Sequence, residues 1–327
     1  MPRRILALLT LVACSLSLAA AATARTEGGS ISLVAYSTPR AAYADLIPAF
    51  QKTTGGKDTS VSQSYGASGE QARAVVSGLK ADVVALSLEP DVTTLVNKGI
   101  VPRTWKNDKW GGIVTRSVVV FAVRKGNPKK IRDWEDLVKP GVQVVTPNVQ
   151  TSGGAKWNIM AAYGAQLRKK KTHAQAVVYL RNLYKHIVSQ DKSAREALQT
   201  FLAGRGDVLL AYENEAIFAN QNNQEVPYVI PKATIRIENP VAVTSSSQNK
   251  VTANAFVRYL RTTAAQKIFA QNGYRPVVPA AAKGFSFPVR PLLFSIKWLG
   301  GWAKVDNRFF NPNSGIVTKL QREVGTN

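Results

Sequence analysis

The sequence predicts an α/β protein made of two doubly wound α/β domains joined by a hinge of two chain crossings. Three observations lead there. Short apolar runs that read as strands alternate with stretches of helical periodicity, the order that gives parallel sheets covered by helices. The chain has 327 residues, enough for two domains of ordinary size. One long apolar run, 117–124, reads as a strand crossing from one domain to the other, with 240–244 as the return. The expected division is a signal segment at 1–24, a first domain from 25–117 and 236–327 with C-terminal helices, and a second domain at 118–235.

At the N-terminus Arg3 and Arg4 form a positive start, 5–22 is apolar, and Ala20-Ala21-Ala22 and Ala22-Thr23-Ala24 offer small-residue cleavage sites. This is an export signal, to be kept out of fold reasoning. Cys14, the only cysteine, sits in Leu11-Val12-Ala13-Cys14, which resembles a bacterial lipoprotein box. The apolar stretch 15–22 that follows is unlike a polar tether and favours ordinary cleavage. On either reading the protein belongs in the periplasm or cell envelope. A mature chain without cysteine has no disulfides and no thiol chemistry.

Residues 31–36 (Ile-Ser-Leu-Val-Ala-Tyr) form the first strand, ending in the turn Ser37-Thr38-Pro39-Arg40 before a helix at 41–52. Residues 59–64 form the second strand. Tyr65-Gly66-Ala67-Ser68-Gly69-Glu70 then repeats the sequence of strand, glycine turn, Ser and helix. A third strand at 82–87 leads into a helix at 89–97. After the crossing at 117–124 come a turn at Gly126-Asn127-Pro128, a short helix around Asp133-Trp134-Glu135-Asp136-Leu137, and a strand at 142–145. Helices follow at 173–186 and from Ser193-Ala194-Arg195, and 206–215 is a strand running into a helix. Residues 249–271 read as one helical stretch. The tail is mixed, with helices expected near 292–298 and 316–324.

The most informative stretch is Thr146-Pro147-Asn148-Val149-Gln150-Thr151-Ser152-Gly153-Gly154-Ala155-Lys156. It places Ser152, Gly153 and Gly154 where a strand gives way to a helix. The first backbone N–H groups of a helix lack internal partners and carry the positive end of its dipole. Two glycines let the backbone approach a bound group, and the serine adds a hydroxyl. Such a start serves as an ordinary cap or as an anion cradle. In a parallel sheet, ligands bind beyond the carboxyl ends of the strands. The loops at Ser37, Ser68, Ser152 and Tyr212 all hold that position.

Composition limits the partners. The formal charge is +23, from 43 Lys and Arg against 20 Asp and Glu. Nucleic acid, an anionic membrane surface and a small anion all suit that balance. The basic residues are scattered, however, and no zinc-finger spacing or aromatic-plus-basic RNA signature is present, so nucleic acid is not expected. The run Arg168-Lys169-Lys170-Lys171 reads as a solvated helix end. Enzyme readings fail on inventory. His173 and His186 lie too far apart on one helix to share a metal, and there is no Gly-x-Ser-x-Gly elbow or phosphate-binding loop. No catalytic residue, metal or cofactor is expected.

The stretch Asn148-Val149-Gln150-Thr151-Ser152-Gly153-Gly154-Ala155-Lys156 resembles a signature of the periplasmic sulfate-binding proteins, which serve sulfate importers. Val149, Gln150 and Lys156 replace the Pro, Lys and Arg of the family pattern. Further blocks resemble the family across nearly the whole mature chain. They are Gln63-Ser64-Tyr65-Gly66-Ala67-Ser68-Gly69, 123–129, 133–142, Gly206-Asp207-Val208-Leu209, Glu213-Asn214-Glu215 and Tyr274-Arg275-Pro276.

The resemblance implies a type II periplasmic-binding-protein-like fold whose two domains close on a dehydrated sulfate held by neutral donors. It implies donation from the Ser37 N–H, the hydroxyls of Ser68 and Ser152, and the N–H groups of Gly153, Gly154 and Ala194, with Arg195 behind them. Many relatives have Asp at Ser37, where only the N–H matters. The last donor in the family is a Trp indole, and the matching position here is Tyr212.

The partners implied are sulfate, or thiosulfate or another tetrahedral oxyanion, and the membrane permease of an ATP-driven importer, with the receptor a monomer. The alternative from another class is a basic exported protein that binds an anionic polymer or membrane surface. Glu70, Glu213 and Glu215 lie near the proposed loops and read as first-turn residues favoured by the helix dipole.

Overall fold

The computed structural model describes residues 29–325, so the signal segment and Cys14 lie outside the described residues. Three strand–helix pairs open it: β1 (Ile31–Tyr36) and α1 (Arg40–Gln51), β2 (Val61–Gly66) and α2 (Ser68–Val76), β3 (Val83–Ala85) and α3 (Glu89–Asn97). The long β4 (Ile113–Val123) follows, then a 3-10 helix (Trp134–Val138), β5 (Val144–Pro147), α4 (Gly153–Arg168) and α5 (His173–His186). Next come β6 (Ile187–Asp191), α6 (Ala194–Leu202), β7 (Val208–Tyr212), α7 (Glu213–Gln221) and β8 (Tyr228–Val229). The second long strand, β9 (Ala233–Val243), leads to α8 (Lys250–Tyr259), α9 (Thr263–Gln271), β10 (Arg275–Pro276) and a 3-10 turn (Pro279–Ala282). β11 (Leu292–Ser295), α10 (Trp302–Phe310) and α11 (Ile316–Val324) complete it.

The strands lie in the order β2-β1-β3-β9-β4-β7-β5-β6. β1 pairs in parallel with β2 and β3, and β5 in parallel with β6 and β7. Between these two parallel halves β9 and β4 run antiparallel to each other and to their outer neighbours β3 and β7. The sheet is therefore mixed, not wholly parallel, because the two crossing strands are themselves part of it.

Each half is covered on both faces. Along β4, Val119, Phe121 and Val123 point into a core with α4 and α5, while Val118, Val120 and Ala122 point into one with α6 and α7. In the other half, Leu33, Ala35, Val83 and Ala85 meet α1, α8 and α9, while Val34 and Val84 meet α2 and α3. A strand buried on both faces reads as a continuous apolar run, which is why 117–124 could be identified from sequence.

Four expectations change. The stretch 249–271 is two helices, since the first ends at Tyr259 and the Thr262 side chain caps the next by accepting from Ala265 N. Residues 292–295 are strand, not helix, because they pair in parallel with Ala233–Arg236 of β9. Periodicity cannot separate helix from strand in so short an apolar run. The second strand starts two residues late, at Val61. The C-terminal helices, expected with the first domain, pack on the other half. Trp302, Val305, Phe309, Val317 and Leu320 share a core with α4 and α5.

Candidate binding site

The strand-to-helix turns of both halves meet at the sheet centre. β1, β2, β3, β5, β6 and β7 each end there, and a helix starts within a few residues of each. Between them lies a small cavity of about 10 Å³, lined by Tyr36, Ser37, Ala67, Ser68, Ser87, Ser152, Gly154, Ala194 and Tyr212. None of these carries a charge. A larger groove between α3 and α10 includes Glu89 and Asp306, but each is already paired, with Lys106 and Lys156. It offers no comparable convergence of donors.

The cavity is built from helix starts. Ser68 opens α2, Gly153 and Gly154 open α4, and Ala194 opens α6. Their N–H groups belong to the first turns, where no intrahelical acceptor exists, and the helix dipoles make the space between them positive. Ser152 precedes α4 in extended backbone, yet its side chain makes no cap hydrogen bond. Its hydroxyl is therefore available to the cavity. At α6 the capping is done by Ser193, whose hydroxyl accepts from Glu196 N at 3.2 Å, leaving the Ala194 N–H uncapped.

Six of the expected residues thus surround one space: Ser37, Ser68, Ser152, Gly154, Ala194 and Tyr212. Gly153 does not line it. A Cβ there would lie 1.9 Å from Leu88 Cδ2 and 2.5 Å from Ser87 Oγ. Its missing side chain lets the two halves come together.

The expected role of the Ser68 hydroxyl is corrected. It donates to Asp91 Oδ2 at 2.5 Å and accepts from Ser87 N at 2.8 Å. A hydroxyl has one proton, so what Ser68 retains for a ligand is its backbone N–H. Asp91 lies outside the cavity lining, and burial pushes its carboxyl above the usual range, with Lys156 and the Ser68 hydroxyl pulling the other way.

Glu213 and Glu215 stand in the first turn of α7 as expected, and each also has an arginine partner. Arg275 forks onto Glu213 at 2.7 and 3.0 Å, and Arg195 forks onto Glu215 at 2.9 Å to each oxygen. Both carboxylates are buried, and neither these two nor Glu70 lines the cavity. The Arg195 guanidinium also lies 3.8 Å over the Phe218 ring and donates to Thr38 O. It braces the α6 start without facing the cavity.

The two halves are tied across the cavity. Gly69 N donates to Thr151 O at 2.9 Å, Trp157 Nε1 to Ser87 O at 3.0 Å, and Arg195 Nη2 to Thr38 O at 3.1 Å. Tyr212 Oη lies 2.6 Å from Ser87 Oγ.

Sequence reading missed Ser87 and Asp91. Ser87 follows a strand just as Ser37, Ser68 and Ser152 follow theirs, so a signal existed. It lacked the neighbouring glycine that drew attention to Ser68 and Ser152. Asp91 looks like any acid in a first helical turn, and nothing in the sequence shows that it folds behind Ser68.

Comparison with known proteins adds four findings. Residues 31–275 match the family model described as bacterial extracellular solute-binding protein. The chain is 41% identical over 314 residues to a sulfate-binding protein of Synechococcus elongatus, covering 91% of this chain and 89% of the relative. A thiosulfate-binding protein of Pseudomonas aeruginosa is 35% identical, with 85% and 88% covered. Among solved structures, the sulfate-binding protein SubI from Mycobacterium tuberculosis H37Rv superposes with a TM-score of 0.84 at 44% identity, covering 86% of this chain and all of that one.

Proposed function

The chain belongs to the bacterial extracellular solute-binding proteins, and on that premise we propose that it is an exported receptor that captures sulfate between its two halves. It hands the ion to the membrane permease of an ATP-driven importer and acts as a monomer. The ion is held by the N–H groups of Ser37, Ser68, Gly154 and Ala194, by the Ser152 hydroxyl, and by the hydroxyl end of Tyr212. One domain comprises 25–117 with the chain returning from 236, and the other 118–235 with α10 and α11 added. The crossings β4 and β9 serve as the hinge.

The observation that carries this reading is the cavity lining. Helix starts from both halves surround it, and no carboxylate or cation is among the lining residues. Sulfate at neutral pH is an acceptor only, and such a lining satisfies it. A protonated phosphate brings an O–H that needs an acceptor. The lining offers that O–H no carboxylate, only neutral hydroxyl oxygens, and a donor left unpaired there costs about 1–3 kcal/mol. Thiosulfate is the second reading, favoured by the relative named as binding it. It replaces one oxygen by a larger, weaker acceptor and should fit less well where Gly154, Ala194 and Ser152 crowd together.

Calorimetric titration with sulfate, thiosulfate, phosphate and molybdate in sodium chloride tests both readings. Sulfate should bind at least about tenfold more tightly than phosphate near pH 7, a difference of about 1.4 kcal/mol. The gap should not close as the pH falls to about 5. Equal affinities would sink the sulfate reading. An affinity that collapses at moderate salt would instead favour binding of an anionic polymer or surface.

A further inference from the structure

Ser87 and Tyr212 reach the cavity from opposite halves, one beyond the end of β3 and the other at the end of β7. Their oxygens lie 2.6 Å apart, and either can be the donor. Ser87 is fixed on three sides. Its N–H donates to Ser68 Oγ at 2.8 Å, and its carbonyl accepts from Trp157 Nε1 at 3.0 Å and Asn239 Nδ2 at 2.9 Å. Gly153 leaves its side chain the room it occupies. Burial raises the Tyr212 phenol well above its ordinary pKa, so it keeps its proton.

Two hydroxyls bring two protons. One lies between the oxygens and joins them. Both residues line the cavity, so the second is available to a ligand there. If Ser87 donates to Tyr212, the phenol proton serves. If Tyr212 donates to Ser87, the serine proton does.

We propose that Ser87 and Tyr212 act as one unit that supplies a single proton donor to the bound oxyanion, with either oxygen able to present it. This rests on the function proposed above and adds Ser87 to the residues that hold the ion. It also accounts for a tyrosine at this position, since the phenol works with a hydroxyl partner from the opposite half.

The unit has a signature in a double-mutant cycle. Ser87→Ala leaves the phenol free to donate, and Tyr212→Phe leaves the serine free to donate. Each change alone removes only the bond between the halves and should weaken sulfate binding by no more than about tenfold. The double variant removes the last donor as well. It should weaken binding by more than the product of the two single losses.

The test is calorimetric titration with sulfate of wild type, both single variants and the double variant. It is run below the melting temperature of each, with Ser152→Ala as a separate measure of the cavity. A loss for Tyr212→Phe equal to that of the double variant overturns the proposal, because Tyr212 would then donate alone. Single losses that simply multiply also overturn it, as does a double variant that binds like wild type. Wild type that fails to bind sulfate overturns the functional reading itself. Wild type that binds, with Ser152→Ala weakened and the cycle not synergistic, overturns the hydroxyl unit alone.

Discussion

Ser68 and Ser152 stand at equivalent turns in the two halves, but their hydroxyls have different partners. The Ser152 hydroxyl makes no cap bond and borders the cavity. Ser152→Ala should lose one charge-assisted hydrogen bond to the ion, about 1.5–3 kcal/mol, or about 10- to 150-fold in affinity. Its melting temperature should stay near wild type. Ser68→Ala strips a buried carboxyl of its donor and the Ser87 N–H of its acceptor, each at about 1–3 kcal/mol. Its melting temperature should fall clearly, even without sulfate. Paired titrations and melting curves check both, and reversed outcomes would exchange the two roles.

Asp91 gives a pH prediction. Burial raises its folded pKa above the ordinary 3.8, so the native state binds its proton more readily than the unfolded chain does. In that window stability falls as pH rises. The contribution is fully present below the unfolded pKa and is lost as the pH passes through the raised folded value. Asp91→Asn keeps an acceptor for Ser68 and removes the buried charge. It should raise the melting temperature at pH 7, and the gain should fade near pH 4. Melts at the two pH values decide it, since a gain of equal size at both would have another cause. Ser152 was legible in the sequence because serine and two glycines punctuate a change of periodicity. Asp91 was not, because its environment is made by Ser68 and Lys156, residues distant in sequence.

Among the elements, α4 is the one on which closure depends. It opens at Gly153 against Ser87 and Leu88 of the other half, and any side chain there meets them. Gly153→Ala should therefore weaken sulfate binding by at least about 100-fold, as it takes about 2.7 kcal/mol to hold the halves slightly apart. The melting temperature without sulfate should change little, because the clash exists only in the closed form. Titration with a parallel melt checks this, and near-normal affinity would mean that Leu88 simply swings aside. Helices were legible where local chemistry bounds them. The ends of α5 match the sequence reading, and Thr172 and Gln175 form a capping box at its start. β11 was not legible, because its identity comes from pairing with β9, about sixty residues earlier in the chain.

At the scale of the whole molecule, charge and site are separated. The chain carries a formal +23, yet every residue lining the cavity is neutral. Arg195 and Arg275 are held by Glu215 and Glu213. The net charge draws anions from a distance, and the hydrogen-bond pattern selects among them on contact. Two halves and a crossing strand could be read from hydrophobic patterning. The meeting of six turns at one point could not, since it is a property of the sheet order rather than of any segment.

The ties across the cavity also act as a clock. An ion walled in by residues of both halves leaves only when the halves part, so its residence time is set by the struts that span the gap. Trp157 is such a strut: its indole holds the Ser87 carbonyl and does not line the cavity. Trp157→Phe should shorten the stay of sulfate while leaving the capture rate, which depends on diffusion into the parted form, nearly unchanged. Under the function proposed above, the receptor keeps its cargo through a random encounter with the membrane and gives it up only where something pulls the halves apart.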